Sequence, residues 1–204
     1  MSSLALIRWG ALAAVLSGAL WIVGELLYLI PSLRETNAPL AAPGAYFFQS
    51  LLFLVGGVLL LGGLLGLYAK HLGAWGTLGT AGFLVAFVGT ALAVGSLWSN
   101  TIIIPAVVDL VPEEALETLP PIVLFGQITS WGLFTIGWLL LGVAILRAGL
   151  YPRLAAILLA VGAVIGFIPV PFALIPFAAA VAWFGLLSLR TGGGVSVEQP
   201  SRVG

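Results

Sequence analysis

Glu25 is the residue whose type and position point most directly to chemistry. It is the only charged side chain well inside an apolar run, which extends from Trp9 to Ile30. A carboxylate in the hydrocarbon of a bilayer costs a few kcal/mol on insertion scales, so such a residue usually marks a functional site or has a polar partner. Glu25 is therefore the first candidate for an anionic binding group.

Polar and aromatic residues recur at helical spacing in two apolar runs. One set shares a helix face with Glu25 at spacings of four, four and three residues: Ser17, Trp21, Glu25 and Tyr28. The second set forms a similar stripe later in the chain: Gln127, Ser130, Trp131 and Thr135. If the two stripes face one another, they enclose a polar space with aromatic walls.

Two amides extend this space to further helices. Gln49 begins the second apolar run and Asn100 ends the third, at the same end of the bundle as Glu25. We predict an outward-facing polar pocket with eight ligand-binding residues: Glu25, Trp21, Tyr28, Gln49, Asn100, Gln127, Ser130 and Trp131. An anion beside aromatic rings suits a small cationic or amphipathic molecule, through charge pairing and cation–π contact. The predicted function is to bind or transport such a ligand.

The same residues also permit two other interpretations. Polar side chains in membrane bundles commonly hydrogen-bond between helices, each worth roughly 0.6 to 2 kcal/mol, with no ligand involved. A protonated Glu25 would then bond to Gln49 or Asn100, and the chain would be a non-catalytic structural or accessory subunit. Its partner would be another membrane protein or a second copy of the chain. An intramembrane enzyme that uses Glu25 as an acid or base ranks third.

The amino-acid composition indicates whether lipid or water surrounds these residues. Hydrophobic residues make up 61% of the chain and charged residues 7%, and the mean hydropathy is +1.22. Soluble domains contain roughly 25% charged residues. A chain of 204 residues has room for about six spans of roughly 20 residues and for no separate soluble domain. The principal partner is therefore predicted to be the lipid bilayer.

The apolar runs predict an all-α fold, a polytopic membrane helix bundle with about six transmembrane helices. Backbone groups in lipid must be satisfied within each segment, and these runs lack the period-two alternation of barrel strands. The predicted helices cover residues 7–30, 44–68, 75–104, 121–146, 153–168 and 172–189. Residues 1–190 form a single transmembrane domain, and residues 191–204 form a flexible cytoplasmic tail.

The charged residues predict the orientation. Short cytoplasmic loops are enriched in Lys and Arg, and an inside N-terminus places six basic residues in the cytoplasm: Arg8, Lys70, Arg147, Arg153, Arg190 and Arg202. Only Arg34 falls outside. Both termini are therefore predicted to be cytoplasmic. The acidic residues of one loop then lie outside, on a predicted short helix: Asp109, Glu113, Glu114 and Glu117.

Several function classes are excluded. The chain has no cysteine, which removes thiol catalysis, disulfides, iron–sulfur ligation and thiolate zinc sites, and His71 alone cannot form a bis-histidine haem site. The net charge is zero and the basic residues do not cluster, which argues against nucleic-acid binding. The H-E-x-x-H, G-x-S-x-G and Walker A motifs are absent. We predict no enzyme, no metal site and no cofactor.

Residues 137–167, GWLLLGVAILRAGLYPRLAAILLAVGAVIGF, resemble a stretch that recurs in uncharacterised bacterial multi-pass proteins of similar size. In those proteins a helix ends in a basic residue, followed by Gly-x-x-Pro-Arg and a second Gly-rich helix. Here that turn consists of Arg147, Gly149, Pro152 and Arg153. The opening RWGALAAVLSGALWIVGE is similar to their first helix. This resemblance implies a six-helix domain of unknown function in a bacterial plasma membrane and transfers no functional residues.

A second resemblance is architectural. Six helices in about 200 residues is similar to the vitamin-binding S components of energy-coupling-factor transporters. It implies the same class of fold, a compact membrane bundle that holds a small ligand, and it assigns no residue of this chain to a role.

Overall fold

The computed structural model describes residues 3–35, 38–71, 74–107, 110 and 120–191. All regular secondary structure in these residues is helical, which confirms the predicted all-α class. Two predicted features lie outside the described residues. They are the outer acidic residues Asp109, Glu113, Glu114 and Glu117, and the tail from residue 192 onward, which includes Arg202.

Six main helices build the described bundle, and each coincides with one predicted apolar segment. They are α1 Ser3–Leu26, α2 Pro43–Lys70, α3 Gly76–Trp98, α4 Pro121–Ala148, α5 Arg153–Ile165 and α6 Ile175–Thr191. Proline occupies the first turn of α2 and α4, where its missing N–H has no intrahelical partner to lose. The helix boundaries therefore follow local sequence signals.

Four helical stretches are long and apolar enough to cross a membrane: Leu4–Leu29, Pro43–Lys70, Gly76–Val107 and Pro121–Ala148. α5 has 13 residues and spans about 20 Å at 1.5 Å per residue, less than the roughly 30 Å of a bilayer core. Large apolar side chains also face outward on the long helices. Leu84 is 56% exposed and Phe125 is 66% exposed, as a lipid-facing surface requires.

The six helices follow one another in a cyclic order. Each packs antiparallel against its neighbour in the chain, and α6 packs against α1 to close the cycle. Gln49, near the start of α2, bonds to Gly24, near the end of α1. Ser96, near the end of α3, bonds in the same way to Gln127, near the start of α4.

Glycine residues let the backbones of neighbouring helices come into direct contact. A Cβ atom on Gly137 of α4 would lie 2.1 Å from the backbone nitrogen of Ala86 in α3. A Cβ on Gly10 of α1 would lie 2.5 Å from the Cα of Gly66 in α2. Any larger residue at these positions would force the helices apart, so the small residues at these contacts serve packing within the bundle.

Aromatic rings fill the centre of the bundle. Phe177 of α6 lies 5.8 Å from Trp21 of α1 and 5.1 Å from both Phe134 and Trp138 of α4, measured between ring centroids. The indole N–H of Trp138 donates to the hydroxyl of Thr90 at 3.0 Å. These buried rings separate the two ends of the bundle by an apolar layer.

The two ends differ in charge. The basic end contains the described residues Arg8, Lys70, Arg147, Arg153 and Arg190. The opposite end, here named the cavity end, contains the C-terminal end of α1 and the N-terminal end of α2. Among the described residues, Arg34 is its only basic residue. This is the charge asymmetry from which the orientation was predicted.

Candidate functional site

A cavity of about 770 Å³ lies at the cavity end. Six of the eight predicted binding residues line it: Glu25, Tyr28, Gln49, Asn100, Gln127 and Trp131. They come from the first four helical segments, and the connection between α5 and α6 contributes further lining residues. The structure thus brings together side chains that are up to about a hundred positions apart in the sequence.

Glu25 provides the buried carboxyl group of this cavity. The residue is 3% exposed, and its Oε2 atom has no hydrogen-bond partner among the described residues. The backbone N–H of Phe172 donates to its carboxylate. An unmet buried acceptor costs roughly 1 to 3 kcal/mol, and a charged one costs more. Glu25 therefore places a buried, unpartnered acceptor next to an open space.

The chain between α5 and α6 positions Phe172. Pro169 and Pro171 lack backbone N–H groups and interrupt helical structure there. Phe172 has φ of 69°, in the left-handed region that residues other than glycine rarely adopt. Strained backbone of this kind concentrates at functional sites. Here it accompanies the approach of the Phe172 main chain to Glu25.

Arg34 also lines the cavity, and it was not among the predicted binding residues. It ends a 3₁₀ turn, Pro31–Arg34, and its Nε–H donates to the backbone oxygen of Tyr28. Its guanidinium carbon lies 5.9 Å from the centre of the Phe172 ring. The sequence did hold a signal for this residue, because Arg34 was the one exception to the positive-inside distribution.

The amides hold helices together at the edge of the cavity. The Nε2 group of Gln49, which is 4% exposed, donates to the backbone oxygen of Gly24 at 2.9 Å. Ser96 Oγ donates to Gln127 Oε1 at 2.7 Å. The described hydrogen bond of Gln49 thus goes to the residue before Glu25 and leaves the Glu25 Oε2 atom unmet.

A π-helical turn, Ser99–Ile103, brings Ser99 and Asn100 to the cavity wall. Pro105 follows two residues later and cannot donate the N–H that a continuing α-helix would give to the carbonyl of Thr101. The Thr101 hydroxyl donates to the carbonyl of Leu97 at 2.7 Å. π-turns within helices occur frequently at functional sites.

The structure places Trp21 and Ser130 away from the cavity wall, which corrects two of the predicted positions. Trp21 is 1% exposed, and its indole N–H donates to the carbonyl of Phe53 at 2.9 Å. Its ring joins the central aromatic cluster because Gly56 of α2 leaves room for it. Ser130 donates to the carbonyl of Gly126 in its own helix at 2.7 Å. The position of a residue on a helix face determines neither how deep its side chain lies in the bundle nor which group it hydrogen-bonds to.

Comparisons of this chain with protein-family models, curated proteins and solved structures give no match. The two resemblances drawn from the sequence therefore stay predictions. The function has to be argued from the residues of the cavity.

A second polar cluster lies at the basic end. His71 Nε2 and the Tyr151 hydroxyl are 2.9 Å apart, and the same hydroxyl lies 2.9 Å from Ser188 Oγ. These hydrogen bonds join the end of α2, the turn before α5 and the end of α6. Burial lowers the pKa of His71 from 6.5 to about 4, and the charge of Lys70 adds to the effect. Burial raises the pKa of Tyr151, while its bond to Ser188 opposes the rise.

Aromatic contacts pack tightly around this cluster. Trp75 stacks on His71 at 5.6 Å, and the Lys70 ammonium lies 5.7 Å from the centre of the Tyr151 ring. A neighbouring cavity that Ser188 helps to line measures only about 20 Å³, room for about one water molecule. Within the described residues, no group of three or more His, Cys, Asp or Glu side chains is placed to hold a metal ion.

Proposed function

We propose that this chain is a non-enzymatic, multi-pass membrane protein that binds or transports a small cationic or amphipathic molecule through its cavity. One observation carries the proposal. Glu25 is 3% exposed, yet its Oε2 atom has no partner among the described residues and the side chain lines a space of about 770 Å³. A ligand that brings a positive hydrogen-bond donor would satisfy this oxygen.

The rest of the cavity wall fits an amphipathic ligand. Trp131 offers an aromatic face for cation–π contact. Apolar side chains such as Ile104, Val123 and Leu174 also line the space and can cover a hydrocarbon portion. A few polar groups on a mostly apolar wall are typical of small-molecule sites.

The membrane placement forms part of the same proposal. α5 and α6 are the fifth and sixth spans, and both termini lie on the cytoplasmic side of a bacterial plasma membrane. The gathering of Arg8, Lys70, Arg147, Arg153 and Arg190 at one end supports this orientation. The cavity then opens to the outside of the cell.

A structural or accessory subunit is the second candidate function. It is favoured by the cross-helix hydrogen bonds from Gln49 to Gly24 and from Ser96 to Gln127. Those bonds stabilise the bundle without any ligand. The partner would be another membrane protein or a second copy of the chain.

Single cysteines distinguish the two candidates because the chain has no cysteine of its own. Asn100→Cys and Gln127→Cys place a thiol on the cavity wall. Leu84→Cys, at an outward-facing apolar position, provides the lipid-facing control. Intact cells are treated with a membrane-impermeant maleimide, which reacts with thiols that water reaches.

Labelling of both cavity cysteines, with no labelling of Leu84→Cys, is the expected result. Arg147→Cys, at the basic end, should react only after the cells are permeabilised. Protection of both cavity positions in folded, inserted variants, together with a stoichiometric protein that co-purifies, would replace the ligand-binding proposal with the accessory subunit.

A further inference from the structure

Glu25 and Arg34, two residues of opposite formal charge, both line the cavity wall. Glu25 has an unmet Oε2 atom among the described residues. Arg34 uses its Nε–H for the carbonyl of Tyr28, and this is its only hydrogen bond to the described part of the chain. The two terminal nitrogens of Arg34 therefore keep their N–H groups available. Planar guanidinium groups bind carboxylates and phosphates through two parallel hydrogen bonds.

Phe172 connects the two charged residues. Its backbone N–H donates to the Glu25 carboxylate, and its ring lies 5.9 Å from the guanidinium carbon of Arg34. The left-handed backbone of Phe172, with φ of 69°, accompanies both contacts. Arg34 is thus held at two points, by Tyr28 and by the Phe172 ring. Both charges are positioned before any ligand arrives, which reduces the entropic cost of binding.

We propose that the ligand is a zwitterion, with a primary ammonium group bound by Glu25 and an acidic group bound by Arg34. This inference rests on the proposed ligand-binding function and names its substrate class. The positive charge of Arg34 would repel a simple cation in the same space, and the negative charge of Glu25 would repel a simple anion. A primary ammonium group suits Glu25 better than a quaternary one, because a quaternary nitrogen has no N–H to donate to the unmet carboxylate oxygen.

Glu35, next to Arg34, also lines the cavity but is exposed. Because water and counterions screen the charge of Glu35, its electrostatic effect on a bound ligand is weaker than that of Glu25. The deep charge is therefore negative, and Arg34 supplies the positive charge nearer the exposed mouth. This order favours a ligand that enters with its ammonium group first.

Ligand chemistry of this type has two sources. A soluble amino acid carries an ammonium group and a carboxylate, and an ethanolamine phospholipid carries an ammonium group and a phosphodiester. Four soluble probes separate the charges: 5-aminopentanoate and glycerophosphoethanolamine carry both, pentylamine carries only the cation, and glycerol phosphate carries only the anion. Nanodiscs of phosphatidylethanolamine and of phosphatidylglycerol test the lipid source.

Calorimetric titration of the purified full chain in detergent is the measurement. We expect at least one zwitterionic probe to bind at least tenfold more tightly than pentylamine or glycerol phosphate. Glu25→Gln and Arg34→Gln should each weaken that binding at least tenfold. Arg147→Gln, at an exposed arginine of the basic end, should bind as the wild type does.

Preferential binding of 5-aminopentanoate indicates a soluble ligand. Preferential binding of glycerophosphoethanolamine, with greater thermal stability in phosphatidylethanolamine nanodiscs, indicates a lipid.

Arg34→Glu is a second variant, which reverses the charge at an exposed position. It should lose the zwitterionic probe and bind pentylamine more tightly than the wild type does. Pentylamine that binds wild type and Arg34→Gln equally, and is lost in Glu25→Gln, would overturn the zwitterion while leaving the proposed function intact. If no probe binds and the cavity cysteines are protected from maleimide, both proposals fail.

Discussion

The two ends of the bundle both concentrate polar side chains, but the arrangements differ. At the basic end, the Tyr151 hydroxyl lies within 2.9 Å of both His71 and Ser188, and the adjacent cavity measures about 20 Å³. At the cavity end, the Oε2 atom of Glu25 has no hydrogen-bond partner within the described part of the chain, and the residue lies beside a cavity of about 770 Å³. The polar side chains of the basic-end cluster hydrogen-bond to one another, whereas one oxygen of Glu25 has no hydrogen-bond partner among the described residues.

This difference separates polar groups that stabilise the bundle by bonding to one another from a buried polar group that is available to the ligand proposed above. A satisfied network makes the fold specific, whereas an unpaired buried charge lowers the stability of the fold. The basic end has one exception, because Trp75 Nε1 has no partner among the described residues. That group is a neutral donor, costs less than an unmet carboxylate, and lines neither of the two cavities.

Gly137→Leu should have the largest effect, because it removes the scaffold that both ends share. A Cβ at this position lies 2.1 Å from the backbone of Ala86, so α3 and α4 have to separate. We expect a loss of more than about 3 kcal/mol, a large part of a typical stability. Gly126→Leu is the control in the same helix, since a Cβ there meets nothing within 4 Å. Size-exclusion profiles and thermal unfolding in detergent measure both. Equal behaviour of the two variants would mean that the α3–α4 contact is not close.

Tyr151→Phe and Glu25→Gln form the second test, which compares the two ends directly. Tyr151→Phe removes the hydroxyl that His71 and Ser188 both contact, at a cost of about 1 to 3 kcal/mol. Glu25→Gln keeps an acceptor for the N–H of Phe172 and removes the unmet buried carboxylate. Without ligand, we expect Tyr151→Phe to lower the midpoint of thermal unfolding and Glu25→Gln to maintain or raise it. The reverse order would assign the structural role to Glu25.

The sequence predicted the helices well because lipid-compatible apolar runs leave few alternatives. Each of α1 to α6 lies on its predicted segment. One boundary difference follows α5, where the chain around Pro169 and Pro171 is irregular in place of the predicted end of one helix and start of the next.

The cavity-lining residues were predictable where helical spacing and depth agreed. Glu25 and Gln127 reach the cavity from the faces that the pattern indicated. Trp21 shares the face of Glu25 but lies one turn deeper, where Gly56 makes room for its ring. Arg34 and Phe172 could not be found from periodicity, because both lie in connecting segments whose conformation depends on tertiary contacts.

The smallest predicted effect is the pH dependence that His71 contributes at the basic end. The pKa of His71 is about 4 in the folded chain against 6.5 ordinarily. Between these values the unfolded chain takes up a proton that the folded chain does not, so acid favours unfolding. The contribution is fully present above about pH 6.5 and is lost as the pH falls through 4. Partial exposure of His71 keeps the effect small.

His71→Gln isolates this contribution, because the amide can still bond to the Tyr151 hydroxyl but does not titrate. The unfolding midpoints of wild type and His71→Gln, measured from pH 7.5 to 4, should converge or cross as the pH falls. Lys70 and Tyr151, the other titratable groups of the cluster, are present in both proteins and cancel in the difference. A difference that stays constant over this range would show that His71 titrates as it does in water. The basic-end cluster would then be open to solvent, and the contrast between the two ends would rest on cavity volume alone.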